Sequence, residues 1–127
     1  MKALCESLEK LISESDLLFL QFGNEFCSPC RAIRLRVDVW LDTHPAVARY
    51  VDVPAHISLC AQMGILSVPA VVVFMDGKEI IRAAGCFSLE RIFSQIERYS
   101  TMRGSETGRE PVKSVTDPDL RISGGTT

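Results

Sequence analysis

The chain has 127 residues, of which 46% are apolar, and its formal net charge is −2. This length suits one domain with a single core, and the apolar content excludes a chain that is disordered throughout. The small net charge gives no reason to expect a nucleic-acid or membrane partner. No apolar run approaches the roughly 20 residues of a membrane span, and no secretory signal is visible. We therefore expect a cytoplasmic protein.

The five cysteines include one close pair, Cys27 and Cys30. An odd number with a single close pair does not form a disulfide framework, and such chains usually carry one working pair and several buried thiols. Cys5, Cys60 and Cys86 lack close partners in the sequence, so we interpret them as structural thiols. Two cysteines separated by two residues form either a redox pair or half of a metal site, and the spacing alone does not decide between them.

The first elements are predicted from hydrophobic periodicity. Residues 3–13 place leucines and an isoleucine at the spacing of one helix face. Ser13 to Asp16 interrupt this pattern, and the apolar run from Leu17 to Phe22 follows, bounded by Gly23 and Asn24. The length of that run and the residues that flank it are typical of a buried strand.

The close cysteine pair lies at a predicted junction between this strand and a long helix. The helical period resumes at Ser28, and Trp40 falls on the apolar face, which predicts a core position. Pro29 suits the first helical turn, where a missing N–H has no cost. His44–Pro45 ends the helix, because the residue before proline is disfavoured in the α region. Cys27 is therefore expected at the helix N-terminus.

The second half is predicted to contain three strands and two helices. The predicted strands cover residues 47–53, 71–75 and 79–84, and the predicted helices cover 55–63 and 89–99. Asp76–Gly77 is a hairpin signal, which makes the last two strands antiparallel. The element order is α-β-α-β-α-β-β-α. It predicts a mixed sheet with helices on both faces.

The composition changes after Met102. Gly, Ser, Thr, Pro and charged residues dominate 103–127, and the few apolar residues there show no period. We expect a domain over residues 1–102 and a mostly disordered tail over 103–127. A short partner-docking motif within the tail is the alternative.

At this point the chain resembles the thioredoxin family over roughly residues 3–100. The segment from Glu25 to Arg31 is similar to the family's Trp-Cys-Gly-Pro-Cys-Lys segment. Val51–Asp52–Val53 resembles its second central strand, and Val68–Pro69–Ala70 stands in the place of its cis-proline. The resemblance implies a thioredoxin fold. Because the chain starts too late for the family's extra N-terminal strand, we expect an α/β sheet of four strands.

Several positions depart from the family's pattern. Phe26 replaces the tryptophan before the first cysteine, and Ser28 replaces glycine between the cysteines. Gly23 stands where a second tryptophan is common, Gln21 stands where the family has a buried aspartate, and Leu35 replaces a proline. These departures indicate a divergent thioredoxin-like protein with a Cys-Ser-Pro-Cys motif.

The cysteine pair supports disulfide exchange. A thiol at a helix N-terminus faces unsatisfied N–H groups and the positive end of the helix dipole, which favour the thiolate. We assign Cys27 as the nucleophile and Cys30 as the resolving thiol. The resemblance implies that Val68 and a cis bond at Pro69 lie opposite the pair and hold an extended substrate. The alternative is an ordinary trans proline at the start of a strand.

Gln21 is the position at which the predicted chemistry is least complete. In the family a buried carboxylate there is thought to accept and return the proton of the second cysteine. A glutamine does not titrate, although it can hydrogen-bond a water. We therefore expect that activation of Cys30 is slower, or that it uses Glu25 or solvent.

The leading prediction is a thiol–disulfide oxidoreductase with no bound cofactor beyond a redox-active Cys27–Cys30 disulfide. Its expected partners are protein disulfides and an upstream reductase, and we expect a monomer. The alternative is a binding module that holds a partner in the cis-proline groove with slow or vestigial redox activity. Structural zinc requires about four ligands, and one pair supplies two, so no metal site is predicted within the chain. A site bridging two copies is left open.

Overall fold

The computed structural model describes residues 1–105. The predicted tail from residue 106 onward therefore lies outside the described residues. The strands are β1 (Lys2–Ala3), β2 (Leu17–Gly23), β3 (Val47–Asp52), β4 (Ala70–Met75) and β5 (Lys78–Ala84). The helices are α1 (Leu8–Glu14), α2 (Ser28–Leu41), α3 (Ile57–Gln62) and α4 (Leu89–Ser105), with a short 3₁₀ helix at Val53–His56.

The five strands form one mixed sheet in the order β1-β3-β2-β4-β5. β3 is parallel to both β1 and β2, whereas β4 is antiparallel to β2 and to β5. The predicted α/β architecture and the predicted hairpin are confirmed. The helices α1 to α4 in the part of the chain that the structure describes are too short or too polar to cross a membrane.

Each face of the sheet carries its own apolar core. On one face Phe19 packs with Trp40 of α2 and Ile92 of α4. On the other face Phe22 packs with Cys60 of α3, and the apolar side of α1 covers the same cluster. Burial of these side chains on both sides of the strands explains why β2 and β4 are apolar at nearly every position.

The predicted number of strands was wrong, because β1 is a fifth strand. Its two residues pair with β3, and the Leu4 N–H donates to the Tyr50 carbonyl at 2.9 Å. The predicted helix over 3–13 therefore starts later, at Leu8. The side chain of Ser7 caps this helix by accepting a hydrogen bond from the Lys10 N–H. Leu4 matches the helical period, yet it reaches the core from an extended segment.

The last helix continues past its predicted end at Tyr99 and reaches Ser105. Its final turns contact the hairpin end of the sheet, since Arg103 Nε donates to Asp76 Oδ2 at 2.8 Å. Arg103 also lies 3.6 Å from Asp16. The helix therefore includes the first residues, Arg103 to Ser105, of the region predicted as a tail.

Candidate active site

The turn that follows β2 prepares the start of α2. The Asn24 side chain accepts a hydrogen bond from the Phe26 N–H at 2.8 Å, and the Cys27 N–H donates to the Asn24 carbonyl. Cys27 is then the N-cap of α2, with extended backbone, and its Sγ accepts a hydrogen bond from the Cys30 N–H at 3.3 Å. Pro29 occupies the first turn, as predicted. The Cys27 sulfur therefore caps the N-terminus of α2, a role that a side-chain hydroxyl or carboxylate oxygen usually has.

Cys27 and Cys30 form a disulfide, with their Cα atoms 5.2 Å apart. The two sulfurs have different surroundings. Cys27 is half-buried, whereas Cys30 is fully buried. Within residues 1–105 there is no group of three or more His, Cys, Asp or Glu side chains that could hold a metal ion. The chemistry that this pair supports is exchange between a dithiol and a disulfide.

The sheet register brings a second segment to the same edge. Phe22 of β2 lies opposite Ala70 of β4, so the end of β2 and the start of β4 meet. The Val68–Pro69 peptide bond, just before β4, is cis. The Pro69 carbonyl accepts a hydrogen bond from the Gly85 N–H at 2.9 Å, which ties this loop to the end of β5.

The loop after β2 and the loop before β4, which meet at this end of the sheet, contain exposed apolar side chains. Phe26 is 85% exposed and Leu66 is 92% exposed, while Val68 is half-buried and Pro69 is buried. Ser28 is exposed in the first turn of α2. An exposed aromatic ring next to a reactive sulfur gives the edge an apolar contact surface.

Gln21 lies inside the molecule, directly below the start of α2. Its side chain is fully buried, and Nε2 donates to the Cys30 carbonyl at 2.8 Å. Its Oε1 has no hydrogen-bond partner among the described residues. Glu25, the other group considered for proton transfer, is exposed, and its backbone carbonyl accepts from Arg31. Gln21 thus contacts the backbone of Cys30 through a donor that does not titrate.

The sequence did not single out Tyr50, although the structure places it beside Cys30. A Cβ added to Gly23 would lie 2.5 Å from the Tyr50 hydroxyl and 2.8 Å from the Cys30 sulfur. The Arg34 guanidinium sits over the Tyr50 ring, 4.3 Å from its centroid. No signal in a single sequence reports this proximity, because the parallel register of β2 and β3 creates it.

Burial shapes the ionisation of two groups near the sheet. Desolvation raises the pKa of the Tyr50 hydroxyl, with a smaller opposing effect from the positive charge of Arg34. Burial also raises the pKa of the Cys60 thiol, which disfavours its reactive thiolate. Cys5 and Cys86 are exposed free thiols.

The sequence profile named Thioredoxin matches residues 3–98. The chain belongs to the thioredoxin family. A thioredoxin from Chlamydia muridarum is 27% identical over 86 residues, which cover 67% of this chain and 84% of that relative. Among solved structures, thioredoxin 1 from Thermosipho africanus has 27% identity and a TM-score of 0.66, covering 69% of this chain and 99% of its own. Thioredoxin from Fasciola hepatica has 30% identity and a TM-score of 0.64, covering 72% and 89%.

Family membership and the cysteine geometry agree. A thioredoxin fold that carries a disulfide between Cys27 and Cys30 at a helix N-terminus is a thiol–disulfide oxidoreductase. The redox-active disulfide is the group that carries the electrons. Membership of the thioredoxin family suggests protein disulfides as substrates and a reductase that returns the pair to the dithiol.

Proposed function

We propose that this protein reduces disulfide bonds in other proteins, with Cys27 as attacking thiolate and Cys30 as resolving thiol. The observation that carries the proposal is the difference between the two sulfurs. Cys27 is accessible and caps α2, whereas Cys30 is fully buried behind it. A bulky protein disulfide can reach only the first sulfur, and the helix N-terminus favours that sulfur as a thiolate.

The reaction consists of two exchanges. The Cys27 thiolate attacks one sulfur of the substrate disulfide, forms a mixed disulfide and releases one substrate thiolate. Cys30 then loses its proton and attacks the Cys27 sulfur. The Cys27–Cys30 disulfide forms, the second substrate thiolate leaves, and two electrons have moved to the substrate. An upstream reductase returns the pair to the dithiol.

The substrate lies, in this proposal, along the edge formed by Phe26 and the Val68–Pro69 loop. Val68 and Pro69 come directly before β4, at the end of the sheet where Phe22 of β2 lies opposite Ala70. Backbone groups of Val68 would pair with an extended substrate, and Phe26 would contact its apolar side chains. Ser28 and Pro29 shape the first turn of α2 beside them.

Gln21 gives Cys30 no ionisable neighbour at this position that could accept its proton. Its amide holds the Cys30 carbonyl and supplies no ionisable oxygen. In this proposal the Cys30 proton leaves without the help of a buried carboxylate, which makes the second exchange slower than in a protein that has one.

The proposal also includes that the protein works as a monomer in the cytoplasm.

The same observation favours a second candidate function. A thioredoxin-like domain whose resolving step is slow would hold its partner longer in the cis-proline groove. It would then act as a binding module in which redox turnover is vestigial. Gln21 in place of a titrating side chain is the specific feature that supports this alternative.

Insulin reduction by dithiothreitol, followed as turbidity, separates the two candidates. We expect the wild type to accelerate precipitation, and Cys27→Ser and Cys30→Ser to fall to the rate of dithiothreitol alone. Cys5→Ser, which removes an exposed thiol outside the pair, is the matched control and keeps the wild-type rate. A wild type no faster than dithiothreitol would contradict the reductase and favour the binding module.

A further inference from the structure

Because Gly23 has no side chain, the Tyr50 hydroxyl and the Cys30 sulfur can both approach its Cα. The Tyr50 hydroxyl and the Cys30 sulfur both lie within 2.8 Å of the position that a Gly23 Cβ would occupy. Both atoms therefore border the same small space beside Gly23, and a side chain larger than hydrogen at Gly23 would collide with them. In this oxidised form the hydroxyl makes no hydrogen bond with another of residues 1–105.

We propose that the Tyr50 hydroxyl donates a hydrogen bond to the Cys30 sulfur after the disulfide is reduced, and so promotes the resolving step. A disulfide sulfur is a poor acceptor, whereas a thiolate is a strong one, so the interaction gains strength when Cys30 ionises. This inference rests on the proposed function, because it concerns the second exchange of that reaction. It assigns a role to a residue outside the Cys-Ser-Pro-Cys motif.

The surroundings keep the hydroxyl protonated. The charged groups that act on it are Arg34 and Arg31 from α2 and Asp52 from its own strand. Desolvation is the largest influence and raises the pKa of Tyr50, so the hydroxyl is a donor throughout the neutral range. The positive charge of Arg34 over the Tyr50 ring polarises its electrons and makes the hydroxyl a stronger hydrogen-bond donor. From β2, Gln21 and Gly23 add no ionisable group.

The role of Tyr50 in the second exchange follows from this geometry. Before that step Cys30 is a thiol, and its proton must pass to solvent or to the departing substrate thiolate. The hydrogen bond from Tyr50 stabilises the thiolate that remains, so a larger fraction of Cys30 is ionised at a given pH. That thiolate attacks the Cys27 sulfur, and the pair closes. Tyr50 itself neither gains nor loses a proton.

The test follows the two exchanges separately. Reduced protein, with Cys5→Ser and Cys86→Ser to remove the exposed thiols, is mixed with a chromogenic aryl disulfide in a stopped-flow instrument. Each exchange releases one coloured thiolate. The first phase depends on the concentration of the disulfide and reports Cys27, and the second phase is independent of it and reports Cys30. Both are recorded between about pH 5 and 9, around the ordinary thiol range.

We expect Tyr50→Phe to leave the first phase unchanged and to slow the second about tenfold at neutral pH. The pH midpoint of the second phase should rise by about one unit, because tenfold in ionisation equals one pKa unit. Tyr99→Phe is the matched control. It removes the hydroxyl of the other tyrosine, on α4, and both phases should remain as in the wild type.

A change in the opposite direction guards against a folding artefact. Fluorotyrosine, incorporated in a Tyr99→Phe background so that only position 50 is labelled, is a stronger donor with the same shape. It should lower the midpoint of the second phase. If Tyr50→Phe and fluorotyrosine both leave that midpoint unchanged while the wild type shows two phases, the role of Tyr50 is refuted and the reductase stands. If the wild type lacks the second phase, the proposed reaction itself is refuted.

Discussion

Gln21 and Tyr50 place polar atoms that do not ionise at neutral pH close to Cys30, the proposed resolving cysteine. They face each other across the parallel strands β2 and β3, and both are buried. Gln21 holds the Cys30 carbonyl at 2.8 Å, while the Tyr50 hydroxyl lies near the Cys30 sulfur. Neither can act as a general base near pH 7, so the ionisation of Cys30 depends on hydrogen bonding and solvent.

Introducing a carboxylate at position 21 should accelerate the second exchange. Gln21→Asp supplies a group that can accept the Cys30 proton, and the matched control Gln21→Asn has the same length without titration. We expect the aspartate variant to reduce insulin about tenfold faster than the asparagine variant at neutral pH. Both variants lose the reach of Nε2 to the Cys30 carbonyl, so their comparison isolates the carboxylate.

Equal insulin rates for the two variants would show that proton removal from Cys30 does not limit turnover. The same measurement in the pre-steady state is more direct, because it should place the difference in the second phase alone. An acceleration of the first phase would instead assign the carboxylate's effect to Cys27.

Gly23 is predicted to be intolerant of a side chain. An alanine Cβ would approach the Tyr50 hydroxyl at 2.5 Å and the Cys30 sulfur at 2.8 Å, distances that require a shift. We expect Gly23→Ala to lower the free energy of unfolding by about 1–3 kcal/mol in urea denaturation. Combining it with Tyr50→Phe removes the closest atom, so the penalty should be smaller in the double variant. A penalty that is identical in both backgrounds would contradict the contact.

At the scale of elements, the N-terminal segment is attached to the sheet by β1 and by an ion pair. β1 pairs with β3, and Glu6, just after β1, accepts hydrogen bonds from Arg49 of β3 at 2.7 Å and 3.1 Å. The bidentate geometry is the strong form of this interaction. The hydrogen bond from Arg49 is the main reason that the pKa of Glu6 is lowered to about 2.

This pair makes part of the stability pH-dependent. Because the pKa of Glu6 is depressed in the folded state, its contribution is present above the ordinary value of 4.5 and is lost as the pH falls toward about 2. We expect the thermal midpoint of the wild type to fall more between pH 6 and pH 3 than that of Glu6→Gln. Glu9→Gln, on α1, is the matched control and should follow the wild type. If the thermal midpoints of the wild type and Glu6→Gln fall equally with pH, the Glu6–Arg49 pair does not contribute to the loss of stability in acid.

Local sequence patterns predict a helix or strand correctly where tertiary packing favours the same structure. Leu17–Phe22 and the start of α2 at Ser28 were predictable, because an apolar run and a proline in the first turn define them. β1 was not predictable from periodicity, because a two-residue strand has no period and Leu4 matches a helical spacing by coincidence. Its pairing with β3 is a tertiary interaction that no local window contains.

The residues of the site likewise differ in whether the sequence alone could identify them. Cys27 and Cys30 could be identified, because their separation and position at a strand–helix junction are local. Tyr50 could not be identified, because it meets Cys30 only through the register of β2 with β3. The hydrogen bond from Gln21 to the Cys30 carbonyl likewise needs the helix packed on the strand.

At the scale of the whole molecule, the direction of electron flow depends on the reduction potential of the Cys27–Cys30 pair relative to that of its partners. A strong oxidant requires a strongly stabilised reduced form. Here the Cys27 sulfur accepts a hydrogen bond from one backbone N–H, and the Cys30 side chain is fully buried, away from the water that would solvate a charge. These features favour a pair that gives electrons to substrates.

A redox titration against dithiothreitol buffers tests this direction. We expect a midpoint of about −270 to −230 mV, in the range of cellular reductants. The oxidised fraction is measured by alkylation and mass spectrometry, with Cys30→Ser as the control in which the pair cannot form. A midpoint near about −120 mV would identify an oxidant and reverse the proposed direction.

The chain's single tryptophan has a practical consequence for following these reactions. Trp40 stacks on Phe93 with ring centroids 4.5 Å apart and on His44 at 4.7 Å. It lies ten residues beyond Cys30 in α2, about 15 Å along the helix axis. Its emission should therefore respond to loss of the contact between α2 and α4 and remain nearly silent when the disulfide opens. Intrinsic fluorescence will report unfolding of this protein, and its redox state must be read from the sulfurs themselves.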